Sequence, residues 1–146
     1  MPTTVVKSML IGETALIAEA LMCLALNVYH EARSQPLIEQ VAVAQVVLNR
    51  VYSPNFPDTV CDVVYHNKYP NQLNKCQFSW FCDGKSDIPR DSDAWLKANQ
   101  VASLVLTPGF PDLVGGATHY HADYANPSWA RRITQVAQIG RHIFYE

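Results

Sequence analysis

The chain has 146 residues, 49% of them hydrophobic and 16% charged, with a formal net charge of -2. That length fits one domain spanning 1–146, and that composition can bury a real core, which excludes a disordered segment. The charge gives no electrostatic footing for nucleic acid or an anionic membrane, so neither is expected as a partner.

The first element in chain order is a helix from about Glu13 to Arg33. Leu16, Ile17, Ala20, Leu21, Leu24 and Val28 recur at spacings of three and four, the signature of a core-facing stripe. One Lys and a short apolar run precede Gly12-Glu13, Glu19 interrupts the next run, and no small-x-small cleavage site follows. The start therefore reads as a helix rather than a signal peptide, and no unbroken apolar run reaches the roughly 18 residues of a membrane span. Ser34 fits the cap of a second helix with Pro36 in its first turn. That helix, Leu37 to about Val51, is apolar on nearly all sides and reads as the central buried one. Ser53-Pro54-Asn55-Phe56-Pro57 stops it, and Asp58 or Thr59 can cap a short third helix that ends near Tyr65.

From His66 to Pro89 the chain is polar and aromatic without periodicity. Loops of that length in compact domains are usually functional or disordered, and Tyr69, Phe78, Trp80 and Phe81 argue against disorder. Asp91 or Ser92 caps another helix, Ala94 to about Leu106, with Trp95, Ala98, Val101, Ala102 and Val105 inward. Gly115-Gly116 opens the alternating segment Ala117 to Ala122, and a second extended run, about Ile133 to Ile139, leads into the final residues 140–145. The fold class is α+β, mainly α: a helical core with a small antiparallel hairpin or sheet near the C-terminus.

Cys23 lies among apolar residues and reads as a buried free thiol, whereas Cys61, Cys76 and Cys82 cluster in a turn-rich region where a disulfide would act as a staple. Cys76-x5-Cys82 lacks the close spacing of zinc ligands, and no local motif supports a Cys/His nucleophile.

The apolar stripe of the first helix, extended three residues past Val28, lands on Glu31. A carboxylate there is either an exposed helix-end group, for example paired with Arg33 or Lys75, or a half-buried acid. Leu24 and Val28 beneath it would raise its pKa, which suits a general acid near neutral pH. Glycosidases use such an acid, usually with a second carboxylate about 5–5.5 Å away for retention or 6.5–9.5 Å for inversion. Asp83 and Asp123 are the candidates for that second group. His119-x-His121 puts two imidazoles on one strand face, with His30 and His142 elsewhere, but no third ligand has diagnostic spacing, so no metal or other cofactor is expected. One of those histidines reads as lining a groove and the other as structural. Gln77-Phe78-Ser79-Trp80 mixes amide, hydroxyl and aromatic faces as sugar recognition does, and Tyr120, Tyr124 and Trp129 could extend such a groove. Asn49-Arg50 reads as a polar clamp on neighbouring carbonyls.

Seven stretches in order, LALNVYHEAR, VAVAQVVLNRV, FPDTVCDVVY, CQFSWFCDG, GGATHYHA, NPSWA and IGRHIFY, resemble the cell-wall hydrolase family of spore cortex-lytic enzymes, SleB/CwlJ type. The resemblance runs from about residue 23 to residue 145. It implies a lysozyme-like fold, peptidoglycan glycan strands as the partner, and the glutamate of Tyr29-His30-Glu31-Ala32-Arg33 as the catalytic acid. Where the family motif has glycine and glutamate, this chain has His30, Ser34 and Gln35. The resemblance also implies a lytic transglycosylase, in which one acid/base suffices and the product is a 1,6-anhydro sugar. Gln77, Phe78, Ser79, Trp80, Thr118, His119 and Tyr120 are the expected substrate-binding residues. The reading is a monomer, not inserted in a membrane, that acts in the periplasm or cell wall, as a phage endolysin or as an exported bacterial or spore enzyme.

Overall fold

The computed structural model describes residues 3–68, 72–73 and 75–146, with side chains from residue 15 onward; Tyr69 lies outside the described residues. Helix α1 (Thr3–Ala32) begins well before the periodic stripe does, and Gly12, at a cost of about 1 kcal/mol in a helix interior, does not interrupt it. Among the described side chains, full burial begins at Cys23, with Ala20 and Leu21 partly buried before it. Leu24, Ala25 and Val28 are fully buried, whereas Leu16 and Ile17 are 67% and 63% exposed. The stripe is continuous in sequence, but the domain beneath it is shorter than the helix. One window of α1, Ala15–Ala32, is long and apolar enough to cross a membrane, and its second half is core here.

Helix α2 (Leu37–Val51) is the central helix the composition implied, buried from Glu39 to Val47 and again at Arg50. Its N-cap is Pro36, with no side-chain cap, so Ser34 does not cap it. The Gln40 amide instead donates to the Gln35 carbonyl at 3.0 Å. Thr59 caps helix α3 (Val60–Val64) by accepting from the Asp62 N–H, and Asp91 caps helix α4 (Ser92–Leu106) by accepting from the Ala94 N–H. Cys23 is not a free thiol: it is bonded to Cys61 and ties α1 to α3, while Cys76–Cys82 closes a short loop around a 3₁₀ turn, Ser79–Cys82. The seclusion that suggested an inert thiol at Cys23 is the packing of α3 against α1.

The C-terminal part is a three-stranded antiparallel sheet of β1 (His119–Ala122), β2 (Gln135–Ile139) and β3 (His142–Tyr145), in the order β1-β3-β2. The β2–β3 turn passes through Gly140 at φ +55°, and a Cβ there would fall onto the Glu39 carboxylate, so backbone and space both require glycine. The main cluster joins α1, α2, α3 and α4 with Phe78 and Trp80; a second joins α2 to the sheet through Val46, Val114 and Phe144. Tyr120 packs against both.

Candidate active site

Glu31 comes from the last turn of α1, held by the fully buried Leu24 and Val28 that precede it on the same face. Its carboxyl is half-buried and lines a cleft of about 250 Å³ together with Arg50, Gln77, Phe78, His119, Tyr120 and Trp129. These side chains arrive from four places: α1, α2, the disulfide-closed loop, and β1 with the turn after it.

The electrostatics follow from that packing. Burial pushes the Glu31 carboxyl above its ordinary value of 4.5, and a hydrogen bond from Tyr120 and the charge of Arg50 pull it partly back. Burial, and then the neighbouring Glu31, push the Tyr120 phenol well above its usual range, so it stays protonated and donates. Burial lowers the Arg50 guanidinium to about 10, which leaves it charged at neutral pH. His119 is pushed below 6.5 by burial and by Arg50, so the neutral ring predominates at pH 7.

Arg50 is the clamp the sequence suggested and a site residue as well. Its Nε donates to the Thr118 carbonyl at 2.7 Å and the Asn49 amide to the Ala117 carbonyl at 3.0 Å, which fixes the start of β1 against α2. The guanidinium lies over the rings of Phe56 and Phe78 at 4.8 and 5.2 Å, and its Nη1 is buried without a hydrogen-bond partner among the described residues. The clamp follows from the position of Arg50 at a helix end. The charge beside Glu31 required knowing that β1 returns to α2.

Of the expected substrate-binding residues, Gln77, Phe78, His119 and Tyr120 share the cleft with Glu31, and three do not line it. Trp80 is 7% exposed. Its Nε1 donates to the Asn27 side chain at 2.9 Å and its face stacks on His30 at 4.5 Å, so the ring is a structural wall. Ser79 is exposed in the 3₁₀ turn. Thr118 turns its hydroxyl to the His119 Nδ1 at 3.0 Å and so orients that ring. Phe78 is 3% exposed and forms floor rather than a stacking face, whereas Trp129 adds an aromatic edge against His119 at 5.2 Å. Tyr124, another aromatic read as extending the groove, is 84% exposed and does not line the cleft.

His121 is the structural member of the His119-x-His121 pair: its two ring nitrogens meet the Ala122 carbonyl at 2.7 Å and the Tyr145 hydroxyl at 2.8 Å. The His30 ring meets the Asp87 carbonyl at 2.9 Å. Neither candidate second carboxylate reaches the cleft. Asp83 accepts the Lys85 N–H at 2.8 Å in a turn, and Asp123 pairs with Arg141 at 3.1 Å on the surface. Among the described residues lining the cleft, Glu31 is the one acid. Arg33, a possible partner for it, instead lies over the Tyr29 ring at 4.8 Å.

A family profile described as Cell Wall Hydrolase matches residues 34–145, starting just after Glu31. The spore cortex-lytic enzyme of Halalkalibacterium halodurans is 38% identical over 122 residues, covering 83% of this chain and 33% of that protein. The spore cortex-lytic enzyme of Oceanobacillus iheyensis is 36% identical over 120 residues, covering 80% of this chain and 38% of that protein. The chain thus spans about a third of the length of these curated relatives. Among solved structures, the catalytic domain of the germination-specific lytic transglycosylase SleB from Bacillus anthracis superposes with a TM-score of 0.69 at 30% identity, covering 87% of this chain and 93% of that one.

Proposed function

Because the chain belongs to the cell wall hydrolase family, we propose that it cleaves the glycan strands of peptidoglycan with Glu31 as general acid and then general base. The observation that carries this reading is one half-buried carboxyl, raised in pKa, in a cleft whose described lining holds no second acid. That set favours a lytic transglycosylase. Protonated Glu31 gives its proton to the oxygen of the β-1,4 bond between N-acetylmuramic acid and N-acetylglucosamine, and the C1–O bond breaks. The carboxylate left behind takes the proton of the muramoyl 6-hydroxyl as that oxygen bonds to C1. The product is a 1,6-anhydro end, and Glu31 is protonated again. The two halves make opposite demands on one group. Burial favours the acid, while the Tyr120 hydroxyl and the Arg50 charge stabilise the carboxylate that must act as base.

A hydrolysing muramidase would need Asp83 or Asp123 to direct a water, and both are engaged away from the cleft. Mass spectrometry of digested peptidoglycan separates the two: anhydro ends are lighter than reducing ends by one water, and exclusively reducing ends would overturn the transglycosylase. A non-catalytic glycan-binding module is the remaining alternative, and it predicts that Glu31→Gln digests walls no differently from wild type. The substrate lies outside the cytoplasmic membrane, where two disulfides are stable. A phage-lysin origin finds no support in the spore cortex-lytic relatives.

A further inference from the structure

A second cleft, of about 480 Å³, lies against the other side of the segments that carry Glu31 and Phe78. It is lined by Tyr29, His30, Arg33, Trp80, Asp83, Lys85, Ser86, Ile88 and Arg90. Consecutive residues of α1 face different clefts: Glu31 the first, His30 the second. The disulfide-closed loop divides likewise, with Phe78 on one side and Trp80 on the other. The shared wall is stiff. His30 stacks on Trp80 with an interplanar angle of 16°, Trp80 is bonded to Asn27, and the Tyr29 hydroxyl accepts the Asp91 N–H at 3.1 Å.

The rim of this second cleft is cationic in a chain of net negative charge. Arg33, Lys85 and Arg90 line it, all exposed, and among the described residues none of them is in an ion pair. Its one carboxylate, Asp83, accepts the Lys85 N–H through one oxygen and leaves the lining with an excess of positive charge. Internal packing does not neutralise the three cations that line this aromatic-walled cavity, one of which, Arg33, is stacked on Tyr29. An acidic ligand does.

We propose that this cleft binds the carboxylates of the peptide stem that hangs from the muramoyl lactyl group of the strand being cut. The inference rests on the glycan-cleaving reading above, and it adds a specificity site to it. In a stem-bearing strand the muramoyl lactyl carboxyl is held in the amide to the peptide, so the sugars are neutral and the free carboxylates lie on the stem. The stem carries free carboxylates, and three or four extended residues reach roughly 10–14 Å from the lactyl group. Arg33, stacked on Tyr29, offers a held guanidinium fork for a carboxylate, and Lys85 and Arg90 add charge at the rim.

The test compares two phosphate-free substrates: peptidoglycan with intact stems, and the same material after its stem carboxylates are converted to neutral amides. Wild type is expected to cut strands with free stem carboxylates with kcat/KM about 5-fold higher or more, a margin that shrinks as salt rises. Lys85→Gln/Arg90→Gln, both surface changes, should erase that margin while leaving the rate on the amidated strands unchanged. Equal wild-type rates on the two substrates would overturn the proposal, as would a variant that loses activity equally on both. Cleavage of neither substrate by wild type would overturn the glycosidase reading first and this inference with it.

Discussion

Two glutamates near the α1–α2 junction have been taken out of water, and their surroundings differ. Glu39 is 2% exposed, and both of its oxygens are engaged: the Arg141 N–H donates to one at 2.9 Å and the His142 Nδ1 meets the other at 3.1 Å. A carboxylate only accepts, so that ring nitrogen carries the proton. The group holds the β2–β3 turn against α2 and faces no substrate. Glu31 is less buried yet less satisfied: it has the Tyr120 hydroxyl, the charge of Arg50, and an open cleft. Burial alone therefore does not mark a reactive carboxyl. What marks it is burial whose cost is only partly compensated, because the remainder favours the protonated form that a general acid needs.

The largest effect that could break this comparison is on turnover. Glu31→Gln keeps the shape and removes the proton, so peptidoglycan cleavage should fall by roughly 10²–10⁴-fold with the fold intact. Retained cleavage would make Glu31 as structural as Glu39. The mirror experiment is Glu39→Ala. It leaves the Arg141 N–H and the His142 ring without their acceptor in a dry niche, and should cost about 2–3 kcal/mol in denaturant unfolding. Below its melting temperature, kcat/KM should match wild type. A loss of activity without a loss of stability would mean that the niche and the cleft are not independent.

How much of this was legible beforehand depended on the range of the interaction. The helices of the core and the position of Glu31 are local properties, carried by a repeat of three and four residues, and α2, α3 and α4 appear close to where the pattern puts them. The role of Glu39 is not legible in the sequence, because an acid in a first helical turn looks like an ordinary partner for the helix dipole. The contrary signal is the apolar run that follows: α2 is buried without a break from Glu39 to Val47. The packing of Trp80 is hidden for a similar reason. Aromatic residues in a polar loop look like sugar platforms until the Asn27 amide, 53 positions away, is seen to hold the indole. The Cys23–Cys61 link is a contact between helices, and no spacing rule encodes it.

Smaller effects sharpen the same contrast through pH. Tyr120→Phe removes the hydrogen bond that favours ionised Glu31, so the alkaline limb of the kcat/KM profile, where the acid is lost, should move to higher pH. An unmoved limb would remove Tyr120 from the site's electrostatics.

The smallest expected effect is on stability. The folded-state pKa of Glu31 lies above its ordinary value of 4.5, so the stability that goes with its protonated form is fully present below that value and is lost as pH rises through the raised one. Gln carries no such penalty. The melting temperature of Glu31→Gln relative to wild type should therefore increase between about pH 4 and pH 7. The sign distinguishes a site from a strut: replacing a fully satisfied carboxylate weakens the fold at neutral pH, whereas replacing an under-compensated one strengthens it. A difference that stays constant across that range would mean the cleft does not disfavour the charge, and the physical case for Glu31 as the acid would fail even if its substitution abolished activity.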